Sequence, residues 1–168
     1  MKTLILYKSK YGSSKQYAQW LNSEINSDIF ELDKCPDLSN YNLIILGGGS
    51  YFGKINGSDF ISKNWNVLKT KKIILFSTSG AKPQDPLIKN LYEDSIPAEI
   101  RAYVRYFPLD GACAYERLTW THKILSFIGS MFQSDPVKKN EMRQGFDRVK
   151  KENINPIVEY VKNIVFAD

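Results

Sequence analysis

Cysteine and histidine are scarce in this chain of 168 residues, which has two cysteines and one histidine. The cysteines, Cys35 before Pro36 in a polar stretch and Cys113 in an apolar one, make a poor disulfide framework. We interpret Cys113 as a small buried hydrophobe and Cys35 as an incidental loop thiol. Because His122 stands alone and no Cys-x-x-Cys pair is present, a zinc site has no ligand set, and no metal is predicted.

Long apolar runs, low-complexity tracts and internal repeats are also missing. The apolar run after Lys2 stops by Tyr7, which is too short for the core of a signal peptide, so we expect a cytoplasmic protein. With 43% hydrophobic and 24% charged residues, the composition is typical of an ordinary globular protein. The length predicts one domain over residues 1–168 that builds its core without disulfides or a structural metal.

The charge balance is basic, with a formal net charge of +5 and a pI near 9.1. Such a balance can indicate nucleic acid, an anionic membrane or an acidic partner. The basic side chains of residues 138–152 alternate with acidic ones, which favours a solvated surface. No single-strand stacking motif or recognition-helix signature accompanies the charge, so nucleic-acid binding is not predicted.

The first apolar run, residues 3–7, leads into small hydroxyl residues and then into a helical pattern from Gln16. A strand, a loop and a helix N-terminus in this order capture a phosphate, because unpaired backbone N–H groups and the helix dipole attract the anion. A glycine lets the backbone come close, and serine hydroxyls donate hydrogen bonds. A serine-rich turn that caps an ordinary helix is the alternative for this loop taken alone. The predicted phosphate loop consists of Ser9, Lys10, Tyr11, Gly12, Ser13 and Ser14.

Three better-known motifs fail here. A dinucleotide fingerprint needs Gly-x-Gly-x-x-Gly after the first strand, and this loop has one glycine. A response-regulator receiver needs acidic residues at the end of that strand, where Tyr7, Lys8 and Ser9 stand. Residues 48–54 fit the Gly-x-x-x-x-Gly-Lys of a nucleotide P-loop, but Ile55 follows in place of the Mg²⁺-binding hydroxyl residue.

Two further apolar runs end in polar, glycine-containing segments. Residues 43–46 lead into a loop rich in glycine and aromatics that could lie along a flat ring, or else form a flexible loop with its aromatics in the core. Residues 72–77 lead into small polar residues that could bind the polar edge of the ring. The carboxyl ends of parallel strands share one sheet edge, so we expect all three loops to form one site. The second and third loops contribute Gly49, Ser50, Tyr51, Phe52, Gly53, Thr78, Ser79 and Gly80.

Strands alternate with helices along the chain, which predicts a doubly wound α/β fold. The pattern predicts strands over residues 3–7, 28–33, 43–46, 72–77 and 104–113. It predicts helices over residues 16–26, 59–68, 85–92, 97–103 and 154–166, with Pro156 in the first turn of the last one.

The Ser-x-x-Gly-x-Ser loop at residues 9–14, with the two later loops in the same order, resembles the FMN site of the flavodoxin superfamily. Residues 1–6, the glycine loop and residues 111–131 resemble the branch that contains menaquinone-dependent protoporphyrinogen oxidase. The resemblance implies a five-stranded parallel sheet of order 2-1-3-4-5, with helices on both faces, and noncovalent FMN. It also implies that residues 9–14 hold the phosphate, residues 50–53 the ring and its N5 edge, and residues 78–80 the pyrimidine side.

Three functions stay open at this point. The first is electron transfer through FMN, with a redox partner protein; the second is an FMN-dependent oxidoreductase that uses a quinone or another small-molecule acceptor. The third is a flavin-free interaction module. Typical flavodoxin carriers are acidic, so this basic chain should differ in partner or potential. Because the redox chemistry belongs to FMN itself, no catalytic residue is assigned.

Residues 117–132 form an unusually apolar stretch. As a helix it would span about 24 Å, short of the roughly 30 Å of a bilayer core, so a membrane span is not predicted. One interpretation of the stretch is a helix buried against the sheet or at a dimer contact. The other is an apolar lid beside the flavin, or a peripheral membrane helix aided by Arg117 and Lys123.

Overall fold

The elements described below come from a computed structural model that describes residues 1–113, 116, 119–132 and 134–166. The strands are β1 (Thr3–Lys8), β2 (Ser27–Glu31), β3 (Leu43–Tyr51), β4 (Lys54–Ile55), β5 (Lys72–Ser79), β6 (Val104–Asp110), β7 (Ala112–Cys113) and β8 (Phe146–Asp147). The helices are α1 (Ser13–Glu24), α2 (Asp59–Lys63), α3 (Trp65–Leu68), α4 (Leu87–Ser95), α5 (Ala98–Arg101), α6 (Trp120–Phe132), α7 (Pro136–Gln144) and α8 (Asn155–Phe166).

The main sheet has the strand order β2-β1-β3-β5-β6, and all of these neighbours are parallel. This is the predicted order 2-1-3-4-5 of the five long strands, and the predicted doubly wound α/β fold is confirmed. One strand of this sheet was not predicted: β4 pairs antiparallel with the end of β3. A second, two-stranded sheet pairs β7 with β8.

The apolar strands are buried on both sides because alternate side chains point to opposite faces of the sheet. One face carries Leu6, Leu46 and Leu75, which pack against α2, α3, α4 and α5. The other carries Ile45 and Ile74, which pack against α1 and α8. Each such side chain, when fully buried, contributes about 1.5–3 kcal/mol. Packing on both faces therefore fixes the positions of the carboxyl ends of the strands.

The strand β3 continues to Tyr51 instead of ending at Leu46, so the three consecutive glycines lie within the strand and not in the predicted loop. Packing is the physical reason. A Cβ atom on Gly47 would overlap the Phe76 ring, and one on Gly48 would overlap the backbone oxygen of Asn56. Glycine at these two positions allows the Phe76 ring and the Asn56 backbone to pack directly against β3. The loop itself is reduced to the turn between β3 and β4.

Other boundaries differ for local reasons. The helix α1 begins at Ser13, three residues earlier than predicted, because Gly12 turns the chain with a φ of 103° and accepts a bond from the Gln16 N–H at 2.9 Å. The predicted helix 59–68 is split into α2 and α3 at Asn64. The predicted strand 104–113 is divided at Gly111, whose N–H donates to the Ser79 carbonyl at 2.8 Å. The strand β5 likewise runs on through Ser79.

The helix predicted over residues 85–92 is shifted by two to three residues and is α4, and the helix predicted over residues 97–103 is shortened to α5. The strand predicted over residues 28–33 is β2, and the predicted C-terminal helix is α8, with Pro156 in its first turn. Of the apolar stretch 117–132, residues 120–132 form α6, whereas Arg117 and Leu118 lie outside the described residues. None of the helices in the described part of the chain is long and apolar enough to cross a membrane.

Candidate functional site

A cavity of about 460 Å³ lies at the carboxyl edge of the sheet, where β1, β3, β5 and β6 end. Its volume falls within the range of about 300–1,000 Å³ that is usual for ligand pockets. All three loops singled out in the sequence reach it, as the shared edge of parallel strands predicts. The lining residues are Ser9, Tyr11, Ser13, Ser14, Ser50, Tyr51, Phe52, Thr78, Ser79, Gly80, Gly111, Ala112, Cys113, His122, Met142 and Phe146.

One end of the cavity is rich in hydroxyl groups. The Ser9 Oγ accepts the Gly12 N–H at 3.1 Å, and the Ser13 Oγ accepts the Ala112 N–H at 3.3 Å. Each of these oxygens still has its own hydrogen to donate. The Ser14 and Thr78 hydroxyls, 3.1 Å apart, join the first loop to the third. This end of the cavity can therefore donate several hydrogen bonds to an anion.

Gly12 precedes the first turn of α1, whose N–H groups have no partner within the helix. No heavy atom lies within 4 Å of the place where a Cβ on Gly12 would stand. The backbone is thus open on this side, and the positive end of the helix dipole is exposed to an anion. A side chain at residue 12 would fill that space.

Part of the cavity wall is aromatic. The Tyr11 and Tyr51 rings meet edge to face with their centroids 6.0 Å apart. Next to them, Phe52 and Gly53 form the turn between β3 and β4, with φ values of 51° and 76°. Two central residues with positive φ are the signature of a type I′ turn. Phe52 is held in this conformation with 76% of its surface exposed, so its ring does not fill the core.

The third loop is fastened by Arg148. Its Nη2 donates to the Gly80 carbonyl at 2.5 Å, while Nε and Nη1 pair with Asp110 at 3.3 Å and Glu141 at 2.5 Å. Its guanidinium also lies 4.0 Å from the centroid of the Phe146 ring. The side chain is about four-fifths buried, so these bonds are partly shielded from solvent. Arg148 therefore ties the end of β6 and the helix α7 to the cavity.

The helix α6 brings His122 to the cavity. The His122 Nδ1 lies 2.7 Å from the Tyr11 hydroxyl oxygen. Its imidazole stacks on Tyr51 at 6.0 Å and 19°, and meets the Phe52 ring at 5.4 Å. On the same helix, Trp120, Ile124, Phe127, Ile128 and Met131 are exposed large apolar side chains, spaced as one stripe of a helix. We call these five residues the apolar stripe.

Burial governs the ionisation of the site. It raises the pKa of Tyr51 to about 12, with a smaller contribution from the charge of Tyr11. Burial also raises the pKa of the Cys113 thiol. The pKa of His122 is lowered, first by burial and then by the nearby Lys10 ammonium. At neutral pH the cavity therefore presents neutral phenol, thiol and imidazole groups.

Four predicted site residues do not line the cavity. Lys10 and Gly12 border a neighbouring groove, and the Lys10 ammonium lies 5.5 Å from the Tyr11 ring centroid. Gly49 lies inside β3, where a Cβ would stand 2.9 Å from the Tyr51 hydroxyl. Gly53 borders an adjoining cavity beside Phe52. Any contact of these residues with a cofactor stays a prediction.

Six lining residues were missed in the sequence. Gly111, Ala112 and Cys113 follow β6, so the rule that brought the other loops together would have found them once the end of β6 was placed correctly. The other three, His122, Met142 and Phe146, come from α6, α7 and β8. No motif marks them, because they reach the site through tertiary packing alone.

Several known proteins are similar to this chain. An uncharacterized protein of Methanocaldococcus jannaschii is 35% identical over 105 residues, which cover 61% of this chain and 67% of that protein. Among solved structures, a flavoprotein in complex with FMN from Lactobacillus acidophilus is 22% identical, with a TM-score of 0.48 over 65% of this chain and 91% of that one. A flavodoxin from the domain Archaea is 14% identical, with a TM-score of 0.47 over 96% of this chain and 99% of that one.

The cavity fits the cofactor that the sequence predicts. Its hydroxyl-rich end suits the phosphate of FMN, its aromatic wall suits a flat ring, and Thr78, Ser79 and Gly80 supply a polar edge. Beside the hydroxyl-rich end, Gly12 borders a neighbouring groove and has open space where a Cβ would stand. A family model for the flavodoxin domain matches residues 4–136. The chain therefore belongs to the flavodoxin domain family, and FMN is its cofactor.

Proposed function

We propose that this protein transfers electrons to and from a partner through FMN held in the cavity. The observation that carries the proposal is the convergence of hydroxyl donors, an aromatic wall and a polar edge on one cavity at the carboxyl edge of the sheet. Bound FMN supplies one-electron and two-electron redox chemistry, and the protein supplies orientation and electrostatics.

The phosphate would be held by the Ser9, Ser13 and Ser14 hydroxyls and by the N–H groups that begin α1. Hydrogen bonds to a charged group contribute about 1.5–3 kcal/mol each. Two such bonds to the phosphate would make FMN bind at least about 100-fold more tightly than the same flavin ring without a phosphate. The phosphate end therefore determines retention of the cofactor.

The ring would lie against Tyr51 and Phe52, which exclude water from one side. Tyr51 is a neutral phenol at neutral pH, and burial raises its pKa further, to about 12, so this wall adds no negative charge beside the ring. The backbone of Gly53 is our candidate for a hydrogen bond to the ring at N5. A Cβ on Gly53 would meet no heavy atom within 4 Å, so the backbone there is open to approach.

The test compares FMN with riboflavin, which has the same ring and no phosphate. We expect fluorescence titration of the purified protein to show FMN binding at least about 100-fold tighter than riboflavin binding. Anaerobic titration with a one-electron donor should then reduce the bound FMN fully and reversibly. Equal affinities would contradict the assigned phosphate end, and a folded protein that binds neither compound would favour a flavin-free interaction module.

A second candidate is an FMN-dependent oxidoreductase of the protoporphyrinogen oxidase type, which uses a quinone. The observation that favours it is the position of α6, which lines the cavity with His122 and exposes the apolar stripe alongside. An apolar acceptor could reach the cavity along such a surface. Steady-state reduction of a quinone, or oxidation of a porphyrinogen, distinguishes this enzyme from a carrier that reacts only with protein partners.

We further propose that the apolar stripe contacts an anionic membrane. The stripe is accompanied by basic groups: the Arg143 guanidinium lies 5.7 Å from the Phe127 ring centroid, and the chain has a net charge of +5. Apolar burial together with attraction to anionic lipid is the usual basis of peripheral binding. A redox partner protein, or a second copy of the chain, is the competing occupant of this surface.

Vesicle sedimentation tests the membrane contact. We expect binding to vesicles that contain anionic lipid, weaker binding to zwitterionic vesicles, and loss of binding in the double variant Phe127→Ser and Met131→Ser. Leu87→Ser on α4 is the matched control, because Leu87 is also 62% exposed but lies outside the stripe. Equal sedimentation of the double variant and the control would contradict the proposal. A concentration-dependent dimer that the double variant abolishes would assign the stripe to a second copy instead.

A further inference from the structure

We propose that His122 donates a proton to the electron acceptor at this site and that Tyr11 positions its imidazole. The proposal rests on the proposed function, because it requires FMN in the cavity. It goes beyond that function because it names the residue that supplies a proton when the acceptor takes up protons as well as electrons. His122 is the one histidine of the chain, and α6 places it on the cavity wall.

The imidazole is held by three rings. The Tyr11 hydroxyl is 2.7 Å from Nδ1, Tyr51 stacks on one face, and the Phe52 ring meets its edge. Tyr11 is itself braced edge to face against Tyr51. Because Tyr11 engages Nδ1, Nε2 is the nitrogen that remains for proton exchange. The arrangement fixes both the plane of the ring and the nitrogen that can react.

The groups around His122 favour release of a proton. From the first loop, the Lys10 ammonium disfavours the imidazolium, and the Tyr11 hydroxyl meets Nδ1. On the cavity wall, Tyr51 and Cys113 are neutral, and burial raises the pKa of each of them further; Lys123 follows His122 on α6. The pKa of His122 is lowered, so its imidazolium is a stronger acid than an exposed one. The side chain is only half-buried, so solvent can protonate it again.

The proton balance defines the acceptor. A quinone becomes a quinol by gaining two electrons and two protons. FMN, when bound and reduced, would supply both electrons and one of the protons. The other proton comes from the His122 imidazolium: its Nε2–H bond breaks as an O–H bond forms on the acceptor, and the neutral imidazole then takes a proton from water. Ferricyanide gains one electron and no proton, so its reduction does not require His122.

The experiment measures how fast each of these two acceptors reoxidises FMN-loaded protein that has first been reduced anaerobically with a one-electron donor. At a pH below the pKa of His122, where the imidazolium is present, we expect His122→Gln to lower the ratio of the water-soluble quinone rate to the ferricyanide rate by about 100-fold, the usual lower size of a general-acid effect. Thr121→Ala, an exposed neighbour on α6, is the matched control and should keep the wild-type ratio. The wild-type quinone rate should fall as the pH rises through the pKa of His122, because the imidazolium is lost, whereas His122→Gln should lack this fall.

A second measurement needs neither FMN nor turnover. The single histidine gives one set of imidazole signals in a nitrogen–proton NMR spectrum, so its protonation and tautomer can be followed directly. We expect the neutral ring to carry its hydrogen on Nε2, so that Nδ1 can accept from the Tyr11 hydroxyl 2.7 Å away, and to titrate below its ordinary pKa of 6.5. In Tyr11→Phe this tautomer preference should be lost and the quinone rate should fall.

Failure of the inference can be distinguished from failure of the proposed function. If FMN does not bind, both are wrong. If FMN binds and His122→Gln leaves the ratio of the quinone rate to the ferricyanide rate unchanged, the inference alone is wrong. An equal loss of rate with both acceptors leaves this ratio unchanged and therefore counts as the same outcome. A wild-type protein that reduces ferricyanide but no quinone would also overturn the inference while electron transfer stands. A tautomer preference that survives in Tyr11→Phe would overturn the role of Tyr11.

Discussion

Phe52 offers the sharpest test of how this site is built, because its backbone conformation is unfavourable for its residue type. With a φ of 51°, it occupies the left-handed region, which costs a residue with a Cβ about 1–2 kcal/mol. Asparagine tolerates this region and is preferred before glycine in type I′ turns. Replacing Phe52 by asparagine should therefore relieve about 1 kcal/mol of backbone strain.

The loss of the ring offsets only part of this gain. Phe52 is 76% exposed, and its ring contact is to His122 at 5.4 Å, so the lost aromatic pairing is at the low end of its range, about 0.5 kcal/mol. The apo-protein with Phe52→Asn should thus unfold with a free energy higher by about 0.5 kcal/mol, or with a Tm higher by about 1–2 °C. FMN should bind about 5–10-fold more weakly, since the wall loses an aromatic ring.

Urea unfolding of the apo-protein and fluorescence titration with FMN measure the two effects separately. Phe52→Tyr is the control, because it keeps the ring and the strain and should change neither value much. The reasoning would be refuted by a less stable apo-protein that binds FMN as tightly as the wild type. That outcome would mean that the ring supports the fold and not the cofactor.

Three further predictions concern other parts of the site. Gly12→Asp should abolish FMN binding in a folded protein, because a carboxylate next to Ser9 and Ser13 would repel the phosphate; circular dichroism checks the fold, and unchanged FMN affinity would reject the assigned phosphate end. Gly48→Ala should destabilise the protein by about 2 kcal/mol or more in urea unfolding, because the added methyl overlaps the Asn56 oxygen, and a neutral effect would contradict the packing role of this glycine. Arg148→Met should lower the free energy of unfolding by about 2 kcal/mol, because the partly shielded bonds to Asp110, Glu141 and Gly80 are lost. Urea unfolding measures this change, and wild-type stability would show that these bonds contribute little.

The main sheet could be predicted because its signal is local. Continuous apolar runs such as residues 43–46 mark strands that are covered on both faces, and their alternation with helices fixes the doubly wound class. The convergence of the three loops follows from the shared edge of parallel strands. For this reason Ser9, Ser50 and Thr78 could be placed beside one another before any coordinates were known.

The glycine run misled the prediction because glycine has two uses. A glycine permits a turn, and it also permits close packing where no side chain fits. Gly47 and Gly48 serve the second use. Gly47 packs against Phe76, which is far away in the sequence, and Gly48 packs against Asn56, which lies across the β3–β4 turn. Only three-dimensional contacts distinguish the two uses.

The wall built by α6, α7 and β8 could not be predicted for a similar reason. His122, Met142 and Phe146 reach the cavity because Arg148 and the β7–β8 pairing fold the C-terminal part of the chain back onto it. Neither contact has a sequence motif. The apolar stripe of α6 was recognised in the sequence as unusual, but its exposure beside the cavity required the structure.

Equilibrium dialysis of the purified protein against FMN tests the central claim most directly. The cavity predicts that one FMN is retained per chain and that retention saturates at micromolar FMN or below. A protein that is folded by circular dichroism, yet retains no FMN at any concentration in this range, would contradict the assignment of the cavity as an FMN site.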